Sequence, residues 1–262
     1  MFSIVIPLYN KELSIKKTLK SVLDQTFQDF EVVIVNDGST DNSLVEAMSI
    51  KDSRIRIIDK SNGGVSSARN HGIENAKFEW ISFLDADDLW MNDHLETLRL
   101  MIIDCPDSKI FSTSYIRSNQ SPSSVVDRSM VVIDDYFIEA INGHFFWTSV
   151  ACIHSSVFKE VGRFETKYNR GEDLHLWARI GKNYRFVLSK KITAIYKLDA
   201  ENRSDKISYN INRSFLSSIN LNDLSIRETE KKYYKKLLYN AFKTFFKKKD
   251  LKNCFYILRK LL

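Results

Sequence analysis

From Phe2 to Asp88 the chain alternates short apolar runs with segments of helical period, a pattern that admits few folds. Phe2-Ser3-Ile4-Val5-Ile6-Pro7 is stopped by proline and followed by Leu8-Tyr9-Asn10. Glu31-Val32-Val33-Ile34-Val35 runs into Asn36-Asp37-Gly38-Ser39-Thr40-Asp41, and Arg54-Ile55-Arg56-Ile57-Ile58 and Trp80-Ile81-Ser82-Phe83-Leu84 are further candidate strands. Between the first two runs, Ile15, Leu19, Val22 and Leu23 recur at helical spacing. Ser39 or Thr40 can cap a helix through about Met48, and Gly63-Gly64 opens one carrying Ala68-Arg69-Asn70. This alternation predicts βαβ units, hence an α/β fold with a mostly parallel, Rossmann-like sheet covered on both faces. Ligands on such sheets bind beyond the carboxyl ends of the strands, where Pro7, Tyr9, Asp37 and Asp85 all fall.

Phe83-Leu84-Asp85-Ala86-Asp87-Asp88 brings three carboxylates to the end of an apolar run. Acids near a core call for a cationic partner. A divalent ion holding nucleotide phosphates is the natural one for oxygen donors so spaced. The same acids also fit a strand-to-helix junction with an N-cap at Asp87 or Asp88.

Pro7-Leu8-Tyr9-Asn10, Gln25-Thr26, Val35-Asn36-Asp37-Gly38-Ser39-Thr40-Asp41, Ala68-Arg69-Asn70 and Asp85-Ala86-Asp87-Asp88 together resemble the family 2 glycosyltransferases of GT-A fold. Val161-Gly162-Arg163-Phe164-Glu165 and Gly171-Glu172-Asp173-Leu174-His175-Leu176-Trp177-Ala178-Arg179 resemble that family's acceptor-side motif. The likeness covers residues 1–200, approximately, with its elements in family order. It implies a bacterial, inverting enzyme that moves one sugar from a nucleotide-diphosphate sugar, a UDP-sugar, to a saccharide hydroxyl. Such a transfer needs a nucleotide grip, charge neutralisation on the leaving group and a base for the hydroxyl proton.

By that resemblance Pro7, Tyr9, Glu12 and Asp37 hold the base end, Asp37 accepting the uracil N–H and Tyr9 stacking. Arg69 contacts the nucleotide through its fork of donors. Asp85 faces the ribose, and Asp87 takes the Mn2+ or Mg2+ ion that bridges the phosphates. Asp173 is the general base, with Glu172 beside it and Trp147 as acceptor-side substrate contacts. Plainer roles are open for each: packing for Tyr9 and Trp147, a surface ion pair for Arg69, an Asp-Gly turn for Asp37, a helix cap for Asp173. The family often closes its catalytic domain with Tyr-Arg-x-His-x-x-Ser, where this chain has Tyr196-Lys197-Leu198-Asp199-Ala200-Glu201-Asn202. Asp199 stands in place of the His, as a metal ligand or an ordinary loop residue. The processive signature Gln-x-x-Arg-Trp is missing, which favours a single addition.

At 262 residues the chain has room for a catalytic domain over 1–204 and an extension over 205–262. Within the first, about 1–115 would bind nucleotide and about 116–204 the acceptor. No apolar run approaches the ~18 residues of a membrane span, and no leader precedes the first strand, so a cytoplasmic location is expected. Cys105, Cys152 and Cys254 are scattered and read as free thiols. His71, His94, His144, His154 and His175 form no metal-like spacing and are expected to be structural. Ser118 to Ser124 is the most loop-like stretch and a candidate cover for the site.

After Asp205 the chain lacks glycine and proline and looks helical. Lysines 231, 232, 235, 236, 243, 247, 248, 249 and 252 surround a stripe of Tyr234, Leu237, Leu238, Ala241, Phe242, Phe245 and Phe246. A second stripe, Leu251, Phe255, Leu258, Leu261 and Leu262, follows a break near Asp250. Basic amphipathic helices over 225–262 suit an anionic membrane surface, at about 1 kcal/mol per basic residue. A helical pair packed on the catalytic domain with solvated lysines fits the same pattern. Nucleic acid is not an expected partner, since no base-reading motif accompanies the charge.

Membrane association would agree with the bacterial relatives that extend lipid-linked saccharides in O-antigen, capsule or lipooligosaccharide assembly. Three alternatives meet obstacles. A sugar-nucleotide pyrophosphorylase would place a glycine-rich, basic loop where Leu8-Tyr9-Asn10-Lys11 stands. A dehydrogenase would need Gly-x-Gly-x-x-Gly there. A non-catalytic nucleotide-sugar or glycan-binding protein would not need Asp85, Asp87 and Asp173.

Overall fold

The computed structural model of the chain describes residues 1–120, 129–143, 145–202 and 210–262. Strands β1 (Phe2–Leu8), β2 (Phe30–Asp37), β3 (Ile55–Lys60) and β4 (Trp80–Phe83) lie in the order β3-β2-β1-β4, all parallel. Every residue of β2 is buried, which its unbroken Val-Val-Ile-Val run requires of a strand covered on both faces. Helix α1 (Ile15–Leu23) buries Ile15, Leu19 and Val22 of the expected stripe together with Thr18, while Leu23 is only partly buried. Helix α3 (Val65–Asn75) seats closely over β1 because position 72 has no side chain. A Cβ on Gly72 would stand 2.2 Å from Val5 Cγ1.

Two local expectations shift. Helix α2 (Ser43–Met48) begins later than a Ser39 or Thr40 cap predicts, because both residues are taken up by Asn10. Asn10 N donates to Ser39 Oγ at 3.1 Å, and Thr40 N donates to Asn10 Oδ1 at 2.8 Å. No helix opens at Asp87 or Asp88 either. Strand β5 (Leu89–Trp90) follows them, and α4 (His94–Asp104) starts only after Asp93.

Beyond β4 the sheet turns from parallel to mixed. Strands β6 (Ile110–Arg117), β7 (Met130–Ile133), β8 (Ala151–His154) and β9 (Phe186–Tyr196) continue the order as β8-β6-β9-β5, with β7 paired to β9. β8 runs antiparallel to both β4 and β6, whereas β9 runs parallel to β6 and antiparallel to β5 and β7. Helices α5 (Tyr136–Asn142), α6 (Ser155–Val161) and α7 (Glu172–Gly181) complete this half.

The C-terminal helices are built into the same core. Residues 210–227 form short 3-10 turns and loops, so regular helix starts at Glu228 rather than soon after Asp205, which lies outside the described residues. Helix α8 (Glu228–Lys247) buries Tyr233 and Leu238 completely, in one cluster with Phe137, Trp177 and Phe186. The chain reverses at Lys249, whose φ is +57°, and Asp250 caps α9 (Leu251–Leu261) by accepting from Asn253 N at 3.1 Å. On α9 the expected stripe is turned outward: Cys254 and Ile257 face the core, while Leu251 and Phe255 are 72 % and 59 % exposed. Residues 121–124 of the loop-like stretch, and His144, lie outside the described residues. No described helix is long and apolar enough to cross a membrane.

Candidate active site

The carboxyl ends of β1, β2 and β4 open into a cleft of about 540 Å³. Pro7 and Tyr9 line it from the end of β1, Asp37 from β2, Arg69 from α3, and Asp85 and Asp87 from the segment after β4. Trp147 borders it, and Glu172 and Asp173 enter from the head of α7. Glu12 and Asp199 are not part of the lining. The Glu12 carboxylate accepts from Asn42 N at 2.9 Å, at the start of α2. Asp199 has a side chain 73 % exposed and pairs with Lys197 at 3.1 Å. The base-end position expected for Glu12 and the metal-side position expected for Asp199 are therefore corrected.

Asp37 is almost completely buried, and its carboxylate is already engaged. It accepts from Lys60 Nζ at 2.5 Å, Gly63 N at 3.0 Å and Gly64 N at 2.7 Å. A carboxylate has about four lone-pair sites, so one is left for a ligand. Gly64 has φ +87°, a backbone state that favours glycine, and it turns the chain into α3. Asp37 thus acts first as the post that shapes this turn.

Arg69 joins the two ends of the cleft. Nη2 donates to Asp85 Oδ1 at 2.7 Å, and Nη1 donates to Glu172 Oε1 at 3.1 Å. Its guanidinium also lies 5.3 Å from the Phe164 ring centre, over its face. The forked, always-charged guanidinium suits such a double bridge. Burial works against its charge, but Asp85 and Glu172 overcome it and hold the proton more tightly than usual.

Gly171, with φ +70°, turns the chain into α7 and sets Glu172 and Asp173 in its first turn. The helix N-terminus favours anions there, and Leu174 N donates to Asp173 Oδ1 at 2.7 Å. Burial outweighs both effects and raises the proton affinity of Asp173, with Asp85 adding to the shift against the pull of Arg69. Glu172 is likewise raised by burial and by Asp173. A carboxylate so raised is a stronger base than a solvated one.

Asp87 meets Lys11, whose ammonium lies 2.6 Å from Oδ2. Burial raises Asp87 above the ordinary carboxylate range, Lys11 opposes the shift and Asp85 adds to it. Asp88 points away, into protein. It accepts from Ser149 Oγ at 2.6 Å and from Lys197 N at 3.1 Å, stitching the end of β4 to the end of β9. Asp85, Asp87 and the nearby Glu201 carbonyl, which also accepts from Lys11, are hard oxygen donors. Hard oxygen donors suit Mg2+ or Mn2+; among the described residues, no three His, Cys, Asp or Glu side chains gather as a metal group.

Trp147 packs against Tyr196 and Tyr115, with ring centres at 4.7 Å and 5.3 Å, and its indole N–H is buried without a partner. Among the described residues the Ser66 and Tyr168 hydroxyls are buried without partners too, and both residues line the cleft. Lys11, Tyr168, Arg170 and Arg213 are cleft residues that sequence reasoning missed. Lys11 had a visible signal, a cation beside Tyr9 at the end of the first strand. Arg213 had none, because it reaches the cleft through the pairing of two segments distant in sequence: Asn169 N donates to its carbonyl at 2.8 Å, and Phe215 N donates to the Arg170 carbonyl at 3.0 Å.

Residues 3–162 match the family model described as Glycosyl transferase family 2. The chain belongs to that family. Among its relatives, an uncharacterized glycosyltransferase RC0461 of Rickettsia conorii is 33 % identical over 226 residues, covering 84 % of this chain and 37 % of the relative. EpsJ of Bacillus subtilis, also named an uncharacterized glycosyltransferase, is 46 % identical over 90 residues, 34 % of this chain and 26 % of EpsJ. The chain thus spans about a third or less of the length of these relatives. The crystal structure of S. aureus TarS 1–349 in complex with UDP-GlcNAc superposes with a TM-score of 0.74 at 19 % identity, over 92 % of this chain and 72 % of that one. This likeness establishes the GT-A fold for the family 2 chain.

Proposed function

We propose that the chain transfers one sugar from a nucleotide-diphosphate sugar, a UDP-sugar, to a hydroxyl of a saccharide acceptor with inversion at the anomeric carbon. The observation that carries this is the Arg69 bridge, which fastens Asp85 on the donor side to Glu172 beside Asp173. A leaving diphosphate and an attacking hydroxyl can then meet in one cleft. Asp173 takes the hydroxyl proton as the acceptor oxygen bonds to the anomeric carbon. The bond from that carbon to the diphosphate breaks, and its electron pair leaves with the diphosphate. Asp87 would hold Mn2+ or Mg2+, which supplies charge neutralisation on the leaving group when bound, with Asp85 on the ribose side. Inversion and the uridine base are carried over from the resemblance to the family, and the TarS complex with UDP-GlcNAc supports a nucleotide-sugar donor.

The acceptor is proposed to be lipid-linked, in bacterial O-antigen, capsule or lipooligosaccharide synthesis, with the enzyme peripheral on the inner face of the cell membrane. The outward face of α9, with Leu251, Phe255, Leu258 and Leu262 exposed beside Lys247, Lys248, Lys249 and Lys252, supports contact with anionic lipid. A catalytically silent binder would not need an acid whose proton affinity is raised at the junction of both subsites.

The test is a panel of nucleotide sugars assayed for Mn2+-dependent release of UDP. Asp173→Asn is expected to lower transfer by about a thousandfold while UDP affinity stays within a factor of a few. A fully active Asn variant would remove Asp173 from the chemistry.

A further inference from the structure

The Lys11 ammonium is enclosed by oxygen atoms. It lies 2.6 Å from Asp87 Oδ2, donates to the Glu201 carbonyl, and has the Asn202 carbonyl at 3.5 Å. The side chains of Lys11 and Asp87 are only 12 % and 16 % exposed. The carbonyl-bearing segment is itself fastened down. Glu201 accepts from Leu13 N, Ser14 N and Ser14 Oγ at 3.2, 3.1 and 2.7 Å, ahead of α1. Asn202 Nδ2 donates to the Tyr9 carbonyl at 3.2 Å. One carboxylate and two carbonyls around a positive charge form the donor set a hard cation selects.

We propose that Lys11 is a placeholder for the divalent ion, making ion binding conditional on the nucleotide diphosphate. This rests on the role given above to Asp87. The ammonium and the Asp87 carboxylate cancel each other in a site largely shielded from water. A divalent ion arriving alone would have to evict Lys11 and leave three positive charges facing one carboxylate. Removing one partner of a shielded pair is costly because the other remains uncompensated. A diphosphate arriving with the ion supplies the missing negative charge, so Lys11 can transfer to a phosphate oxygen while Asp87 passes to the ion. Lys11 occupies the place of the ion in the first state and contacts the leaving group in the second.

Mn2+ alone is titrated into the full chain, with and without UDP, and free Mn2+ is followed by its paramagnetic resonance signal. The wild type is expected to bind Mn2+ weakly without UDP and much more tightly with it. Lys11→Met should bind Mn2+ without UDP about tenfold more tightly than wild type, shrinking the coupling between the two ligands. Lys11→Arg, which keeps the charge, should behave as wild type, and Lys11→Gln serves if the Met variant is unstable. Unchanged Mn2+ affinity in Lys11→Met and Lys11→Gln, with UDP still promoting binding, would overturn the placeholder and leave the proposed function intact. No Mn2+ binding in any variant, with or without UDP, would overturn the metal role of Asp87 and the placeholder with it.

Discussion

The hydroxyl of Tyr233 on α8 lies 3.4 Å from that of Tyr136 on α5. Burial pushes both phenols well above their ordinary range, and the charge of Asp173 adds to the shift in each. Tyr233 of α8 therefore lies within electrostatic reach of the proposed base. Removing residues from 225 onward should yield an unfolded or insoluble chain, because Tyr233 and Leu238 are completely buried. Tyr233→Ala should cost about 3–5 kcal/mol in urea denaturation. A soluble, cooperatively folding truncation would show that the helices are dispensable.

The absence of a side chain at position 72 is a packing requirement. Gly72→Ala would place a methyl 2.2 Å from Val5 Cγ1 and should destabilise by about 1–3 kcal/mol. Adding Val5→Ala should recover part of that loss, so the two changes will not add. Additive losses in a double-mutant cycle would contradict the close seating of α3 on β1.

Burial raises the proton affinity of Asp88 well above that of an ordinary carboxylate at 3.8, and the charges of Asp85 and Asp87 add to it. The folded chain then binds more protons than the unfolded one above pH 3.8, so stability from this group is full at lower pH and declines as pH rises through the folded value. Asp88→Asn removes that titration. The difference in unfolding free energy between Asp88→Asn and wild type should rise in favour of the variant from pH 4 toward neutrality. A pH-independent difference would mean that Asp88 has the same proton affinity folded and unfolded.

The exposed face of α9 gives a sharper membrane test than truncation. Lys248→Glu with Lys252→Glu, or Phe255→Ser with Leu258→Ser, should weaken binding to anionic phosphatidylglycerol vesicles without changing the melting temperature. Each basic residue near the surface is worth about 1 kcal/mol, and the effect should fade at high salt. Vesicle co-sedimentation indifferent to all four changes would assign these side chains to solvent alone.

The parallel half of the fold was legible because β1, β2 and β4 are short, predominantly apolar runs, although β1 continues past Pro7 to Leu8 instead of stopping at the proline. The mixed half was not. β8 is only Ala151–His154, and its place between β4 and β6 depends on contacts far apart in sequence. Periodicity found α1 and the break before α9, but it could not say which face of α9 packs inward, since both of its faces carry apolar residues. At the site, Asp85, Asp87, Asp173 and Arg69 were recognised by motif and do converge. What motif could not supply was pairing: that Lys11 would hold Asp87, or that Arg69 would be shared between Asp85 and Glu172.

Asp37 illustrates how pairing changes the meaning of a residue. Its carboxylate anchors Lys60 and the two glycine amides that open α3, so replacing it would release the rim of the cleft before any direct ligand contact was altered. Shape at that rim and grip on whatever sits there consequently hang on one carboxylate.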